Sequence, residues 1–138
     1  MHPLQLVVLA ALGIGTALYI WRGVKRGMQA DAMFFGTLVE RLSGVLAPKG
    51  FRLIRNLYLR QSFGHRVATF EGTAFNVDAA WEGRDRDILL LRRDPQESNV
   101  SAGRQLADFH IPQGAAPEVY AQAIDIIVSA AASIEGAA

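Results

Sequence analysis

Apolar and polar positions follow three regimes along the chain. From Leu4 to Trp21, eighteen residues run without a formal charge, and Arg22, Lys25 and Arg26 follow directly. A helix rises about 1.5 Å per residue, so this run covers roughly 27 Å, near the hydrocarbon thickness of a bilayer. It reads as a retained transmembrane helix, because a signal peptide carries its cations before the apolar stretch and here they come after it. From residue 31 the apolar positions recur at helical spacing. Phe35, Leu38, Val39, Leu42, Val45 and Leu46 form one stripe, Asp31 is placed to cap it, and Pro48 and Gly50 stop it.

From residue 51 the period becomes two. The segments 51–60, 67–71, 74–82 and 87–93 read as four short strands with turn residues between them. In the first, Phe51, Leu53, Leu57 and Leu59 are expected on one face, with Arg55 breaking the pattern. In the third, Phe75, Val77, Ala79 and Trp81 point one way and Asn76, Asp78, Ala80 and Glu82 the other. Loops this short imply antiparallel pairing, since parallel strands need long crossovers. Residues 95–114 are polar and irregular, with a brief extended segment expected at 106–112. Pro117 opens a last helix whose stripe is Val119, Tyr120, Ala123, Ile124, Ile127, Val128, Ala131 and Ile134. The expected fold is therefore α+β: a single N-terminal transmembrane helix, then a helix, a four-stranded antiparallel meander sheet and a C-terminal helix. Residues 1–27 form the anchor with its basic flank, and residues 28–138 a small cytoplasmic domain.

The flanking charges orient the anchor. Arg22, Lys25 and Arg26 favour the cytoplasmic side, which puts the N-terminus outside an inner (plasma) membrane. Tyr19 and Trp21 sit where an interfacial aromatic belt is expected. Ala11 with Gly15, and Gly13 with Ala17, form pairs four apart that let another membrane helix approach closely. Self-association and docking on a larger partner would both use that face. The chain has no cysteine, which removes disulfides and thiolate metal sites.

Candidate chemistry is sparse. His2, His65 and His110 are dispersed without metal-ligand spacing. His65, in a turn, is expected to be solvated. His110, among apolar neighbours, is expected to make a structural hydrogen bond. No nucleophile elbow and no Walker-type lysine loop occurs. Asp85 and Asp87 have the spacing to share a divalent ion, but Arg84 and Arg86 alternate with them and make a solvated charged turn the better reading. No cofactor is implied, and the chain reads as non-catalytic. Charge is split along it: residues 22–66 carry nine Lys or Arg against two Asp or Glu, and residues 67–138 five against eleven. Arg52 or Arg60 opposite Asp78 or Glu71 would neutralise part of this across a sheet. The basic residues form no stripe interleaved with exposed aromatics, so nucleic acid is not an expected partner.

The stretch from Gly50-Phe51 through Ser62-Phe63-Gly64 to Trp81-Glu82-Gly83-Arg84-Asp85 resembles small uncharacterised bacterial α+β domains, some of them immunity-protein-like. The resemblance covers residues 50–90 and implies the fold; it carries no active residue across. Two functions are expected from these observations. The first is a non-catalytic single-pass accessory or assembly subunit of a larger membrane complex, in an energy-transducing system for instance. The alternative is a membrane-tethered, immunity-like binding protein that captures a soluble partner through its cytoplasmic domain.

Overall fold

In the computed structural model, residues 27–136 are described. The chain divides into two compact units, Met1–Met33 and Phe34–Ala138. Of the first, residues 27–33 are described, and they are helical. Asp31 therefore lies within a helix instead of capping one.

In the second unit, helix α1 (34–46) buries Phe34, Phe35, Leu38, Val39, Leu42 and Leu46 at three- and four-residue spacing. A 3-10 turn at Ala47–Lys49 follows, closed by Gly50 at φ 91°, a left-handed conformation that costs glycine no Cβ clash. Five strands come next: β1 (Arg52–Leu59), β2 (His65–Glu71), β3 (Asn76–Glu82), β4 (Asp87–Arg93) and β5 (Arg104–His110). They pair antiparallel in chain order, which leaves β1 and β5 at the edges. Helix α2 (Pro117–Ala132) closes the unit, with proline in its first turn, where no intrahelical N–H is needed.

Both helices contribute to one core. α2 supplies Ala123, Ile124, Ile127, Val128 and Ala131, and the sheet supplies alternate positions: Ala68, Phe70, Val77, Ala79, Trp81, Ile88 and Leu90. Phe75, Val77, Ala79 and Trp81 are all buried, as their alternation predicts. Trp81 meets the Phe34 ring edge-on at 5.6 Å, and Phe34 meets Tyr120 at 5.5 Å. Arg41 bonds Asp125 at 2.9 Å between α1 and α2, but both side chains are exposed, so packing and not this pair holds the helices together.

The structure corrects the expected fold class in three respects. The sheet has five strands, not four. Residues 104–110 form the full strand β5, in which Leu106 is an extra residue between the pairs Leu90–Ala107 and Leu91–Gln105, so its apolar alternation breaks there. Next, no helix among the described residues is long and apolar enough to cross a membrane. Spanning takes about 20 apolar residues, whereas α2 has 16 and carries Glu118 and Asp125. The run Leu4–Trp21, with Ala11, Gly13, Gly15, Ala17, Tyr19 and Trp21, and the flank Arg22, Lys25 and Arg26 lie outside the described residues.

The last correction concerns β1. Leu53 pairs with the core residue Phe70, but Arg55 pairs with the next residue of β2, Thr69, so Ile54 is an extra residue. One extra residue reverses the alternation beyond it. Asn56 and Tyr58 now share the helix side with Ala68 and Arg66, and Leu57 and Leu59 turn to the other side with Val67 and His65. Leu53, Leu57 and Leu59 thus do not share a face.

Trp81→Ala should lower the unfolding free energy by about 3–5 kcal/mol, the cost of emptying a fully buried aromatic site. Leu59→Ala, at an exposed position, should change it by about 1 kcal/mol or less. Urea denaturation of both variants measures the contrast.

Candidate binding face on the open side of the sheet

The helices pack on one side of the sheet. On the other, paired residues line up in rows. One row is Leu57, Val67, Ala80, Leu89 and Asp108; the next is Arg55, Thr69, Asp78, Leu91 and Gln105. The first is an apolar band that rises from a buried Ala80 to an exposed Leu57 at the β1 edge. The second carries the buried polar centre of the face.

Asp78 is 0% exposed and Arg93 6%. Arg93 Nε donates to Asp78 Oδ2 at 2.7 Å and Nη2 to Oδ1 at 3.2 Å, while Thr69 Oγ1 donates to Oδ1 at 2.6 Å. Arg93 Nη1 donates to the Glu97 carbonyl, which ties the loop after β4 to the face. The hydrogen bonds to Asp78 hold the Arg93 guanidinium above the ordinary arginine pKa, against the opposing effect of burial, and the negative charges of Asp78 and Glu97 add to the rise. Beside this network, Arg55 Nε and Asn76 Oδ1 are buried without a hydrogen-bond partner among the described residues.

At the β1 edge the face is apolar and basic. All eight residues of β1 are exposed except the half-buried Arg55. Leu57 is 41% and Leu59 43% exposed, and Phe63, in the turn to β2, is 68% exposed. Phe63 also holds φ 58°, a region bulky residues seldom occupy and one that costs of order 1–3 kcal/mol. The neighbouring hairpin holds it there. A Cβ on Gly83 would overlap the Phe63 carbonyl oxygen, so the two turns close only because position 83 is glycine. The Gly83 N–H then donates to His65 Nδ1 at 3.0 Å. Arg84 lies 5.3 Å over the Phe63 ring and Arg66 4.0 Å over Tyr58. From Phe51 to Phe70 there are four arginines and no Asp or Glu.

The candidate chemistry read from sequence distributes differently. His65 is a half-buried acceptor and not a solvated turn residue. His110 is exposed on β5 and pairs with Asp87 at 2.8 Å. Asp87 is therefore engaged with a histidine, and no group of three His, Cys, Asp or Glu among the described residues is placed to hold a metal. Arg86 is not solvated: its Nε donates to the Ile111 carbonyl at 2.9 Å, its Nη2 to Tyr120 Oη at 3.2 Å, and it lies 5.2 Å over the Trp81 ring. Arg52 meets Glu71 at 3.3 Å, as cross-strand neutralisation predicts, but Asp78 takes Arg93 instead of Arg52 or Arg60. Sequence reasoning passed over Thr69, Arg93 and Phe63. The one available signal was Asp78 itself, a carboxylate in the middle of a strand whose neighbours are buried.

Comparison of the chain with protein-family models, curated proteins and solved structures finds no match. The resemblance of residues 50–90 to immunity-protein-like domains accordingly stays an expectation.

Arg93→Met leaves the Asp78 carboxylate buried without its cation and should cost about 3–5 kcal/mol of stability. Asp78→Leu combined with Arg93→Met removes both charges, and its cost should be clearly smaller than the sum of the single substitutions. A double-mutant cycle by urea denaturation reads the coupling.

Proposed function

We propose that Phe34–Ala138 is a non-catalytic binding domain that captures an acidic, extended segment of a partner protein by adding it as a strand beside β1. The observation that carries this reading is the bulge at Ile54. It turns Leu57 and Leu59 out of the helix side at an edge that, among the described residues, pairs with no strand but β2. Edge strands ordinarily hide such residues or stay short. Here an eight-residue edge strand presents leucines on the open side and Leu53 and Tyr58 on the other, with Phe63 at its end.

Magnitudes favour a segment with apolar residues at alternate positions. Ordering an extended chain costs about 1–2 kcal/mol per residue. Backbone hydrogen bonds return about 0.5–1.5 kcal/mol each, so apolar anchors must supply the surplus. Covering the exposed parts of Leu57, Leu59 and Phe63 adds roughly 1 kcal/mol apiece. The four arginines set the partner's sign. Exposed ion pairs contribute little affinity, about 0.2–1 kcal/mol each, but they select and steer. They also argue against a second copy as occupant, because pairing β1 with itself would bring two sets of arginines together in which Glu71 offsets only Arg52.

An acetylated, amidated peptide of alternating valine and glutamate, long enough to span β1, is a suitable probe. It should slow amide exchange at Arg52–Leu59 and bind more weakly as salt rises. Leu57→Asp and Arg60→Glu should each weaken it about tenfold, or 1.4 kcal/mol, with the fold intact. Equal binding of a valine–lysine peptide would overturn the proposal, as would protection confined to other strands.

A further inference from the structure

At the opposite edge of the sheet, on the helix side, α2, the chain after it and the strands β4 and β5 border an open cleft of about 500 Å³. Phe75, Leu106, Ala130 and Ile134 give it apolar walls, and Arg92 and Arg104 also line it. The volume falls within the range of preformed small-ligand sites. Arg92 pairs with the core residue Val77, and Arg104 pairs with Arg92, so both side chains leave the sheet on the helix side, directly opposite each other. Like charges in that relation repel. Among the described residues neither guanidinium has a hydrogen-bond or ion-pair partner. Arg92 lies 3.8 Å from the centroid of the Phe75 ring, which orients the group without neutralising it. Glu135 lines the cleft too, but one carboxylate offsets at most one of two arginines. A net positive charge is left on two exposed arginines that line the cleft, whose wall also includes Ser133.

We propose that this cleft binds a small organic monocarboxylate, its carboxylate bridging Arg92 and Arg104 and its apolar body resting on Phe75, Leu106, Ala130 and Ile134. A guanidinium fork matches the two oxygens of a carboxylate. The single net charge suits a monoanion better than a phosphate dianion. Phe75, Leu106, Ala130 and Ile134 favour a ligand with an apolar body over one that is polar throughout.

The test is titration of the full-length protein with 3-phenylpropionate, followed by calorimetry and by NMR shifts at Ala74, Leu106 and the arginine side chains. Saturable binding is expected, with 3-phenylpropanamide and inorganic phosphate each at least about tenfold weaker. Arg104→Gln should weaken the carboxylate about tenfold as well, and Arg104→Lys, which keeps the charge and loses the fork, by less. Absence of saturable binding overturns the proposal. So does equal binding of the amide, which needs no variant to fold, or of phosphate, which would mark a bare anion sink. Unchanged affinity in folded Arg92→Gln/Arg104→Gln also overturns it.

Discussion

The pleat of a β-strand has a period of two, and the β1 edge of this fold depends on the first of two places where that period is broken. Up to Leu53, β1 follows the core alternation, with its side chain beside Phe70. The extra residue Ile54 reverses the parity, so the leucines that follow leave the helix side and Asn56 and Tyr58 enter it. Without the bulge, Leu57 and Leu59 would extend the core toward the edge, and the open face would begin with Asn56 and Tyr58. With it, the apolar band of Val67, Ala80 and Leu89 continues to the rim of the sheet.

A surface of this kind is useful only if it is rigid, and the Asp78–Arg93 pair supplies that. A buried ion pair is a poor source of net stability, because desolvation offsets much of the attraction. It is a strict geometric constraint all the same. Asp78 takes hydrogen bonds from Thr69 on β2 and Arg93 on β4, so three adjacent strands are locked in register from the open side. The helices lock the same strands from the other side through Phe70, Val77 and Leu90. β1 lies outside both locks. Among the described residues it is held by its pairing to β2, with Arg52–Glu71 and Arg66–Tyr58 across that pair, and by the closure of its turn on Gly83.

The sequence made the helix stripes and the Phe75–Trp81 alternation legible because both arise from burial on one side, and burial leaves a period in the chain. The bulge leaves no such trace. Arg55 signalled that the alternation failed in β1, but a failed alternation reads equally as a solvated charge or as a change of parity, and only the pairing to Phe70 and Thr69 decides between them. β5 was legible only as the extended segment at 106–112, because Leu106 is an extra residue that makes the adjacent Leu106 and Ala107 both partly buried and breaks the alternation near the strand's start. The Arg93–Asp78 pair was hidden for another reason. The charges were visible, but Arg52 and Arg60 were equally available partners on paper, and register, which local sequence does not encode, chose among them.

The arginines of the β1–β2 hairpin also answer a difficulty that the exposed edge creates. A long apolar edge strand is a template for uncontrolled pairing, and proteins commonly suppress this with charge on the edge. Suppression by a single sign of charge is selective. Glu71 pairs with Arg52, which leaves Arg55, Arg60 and Arg66 to disfavour a second copy of the same edge and basic segments generally. They do not repel an acidic one. The cost of approach is therefore low for one class of strand and high for the rest, while the backbone and the leucines offer the same pairing to all. If β1 takes up a strand as proposed, protection against self-association and selection of a partner are one property of the same arginines, read from opposite sides of the encounter.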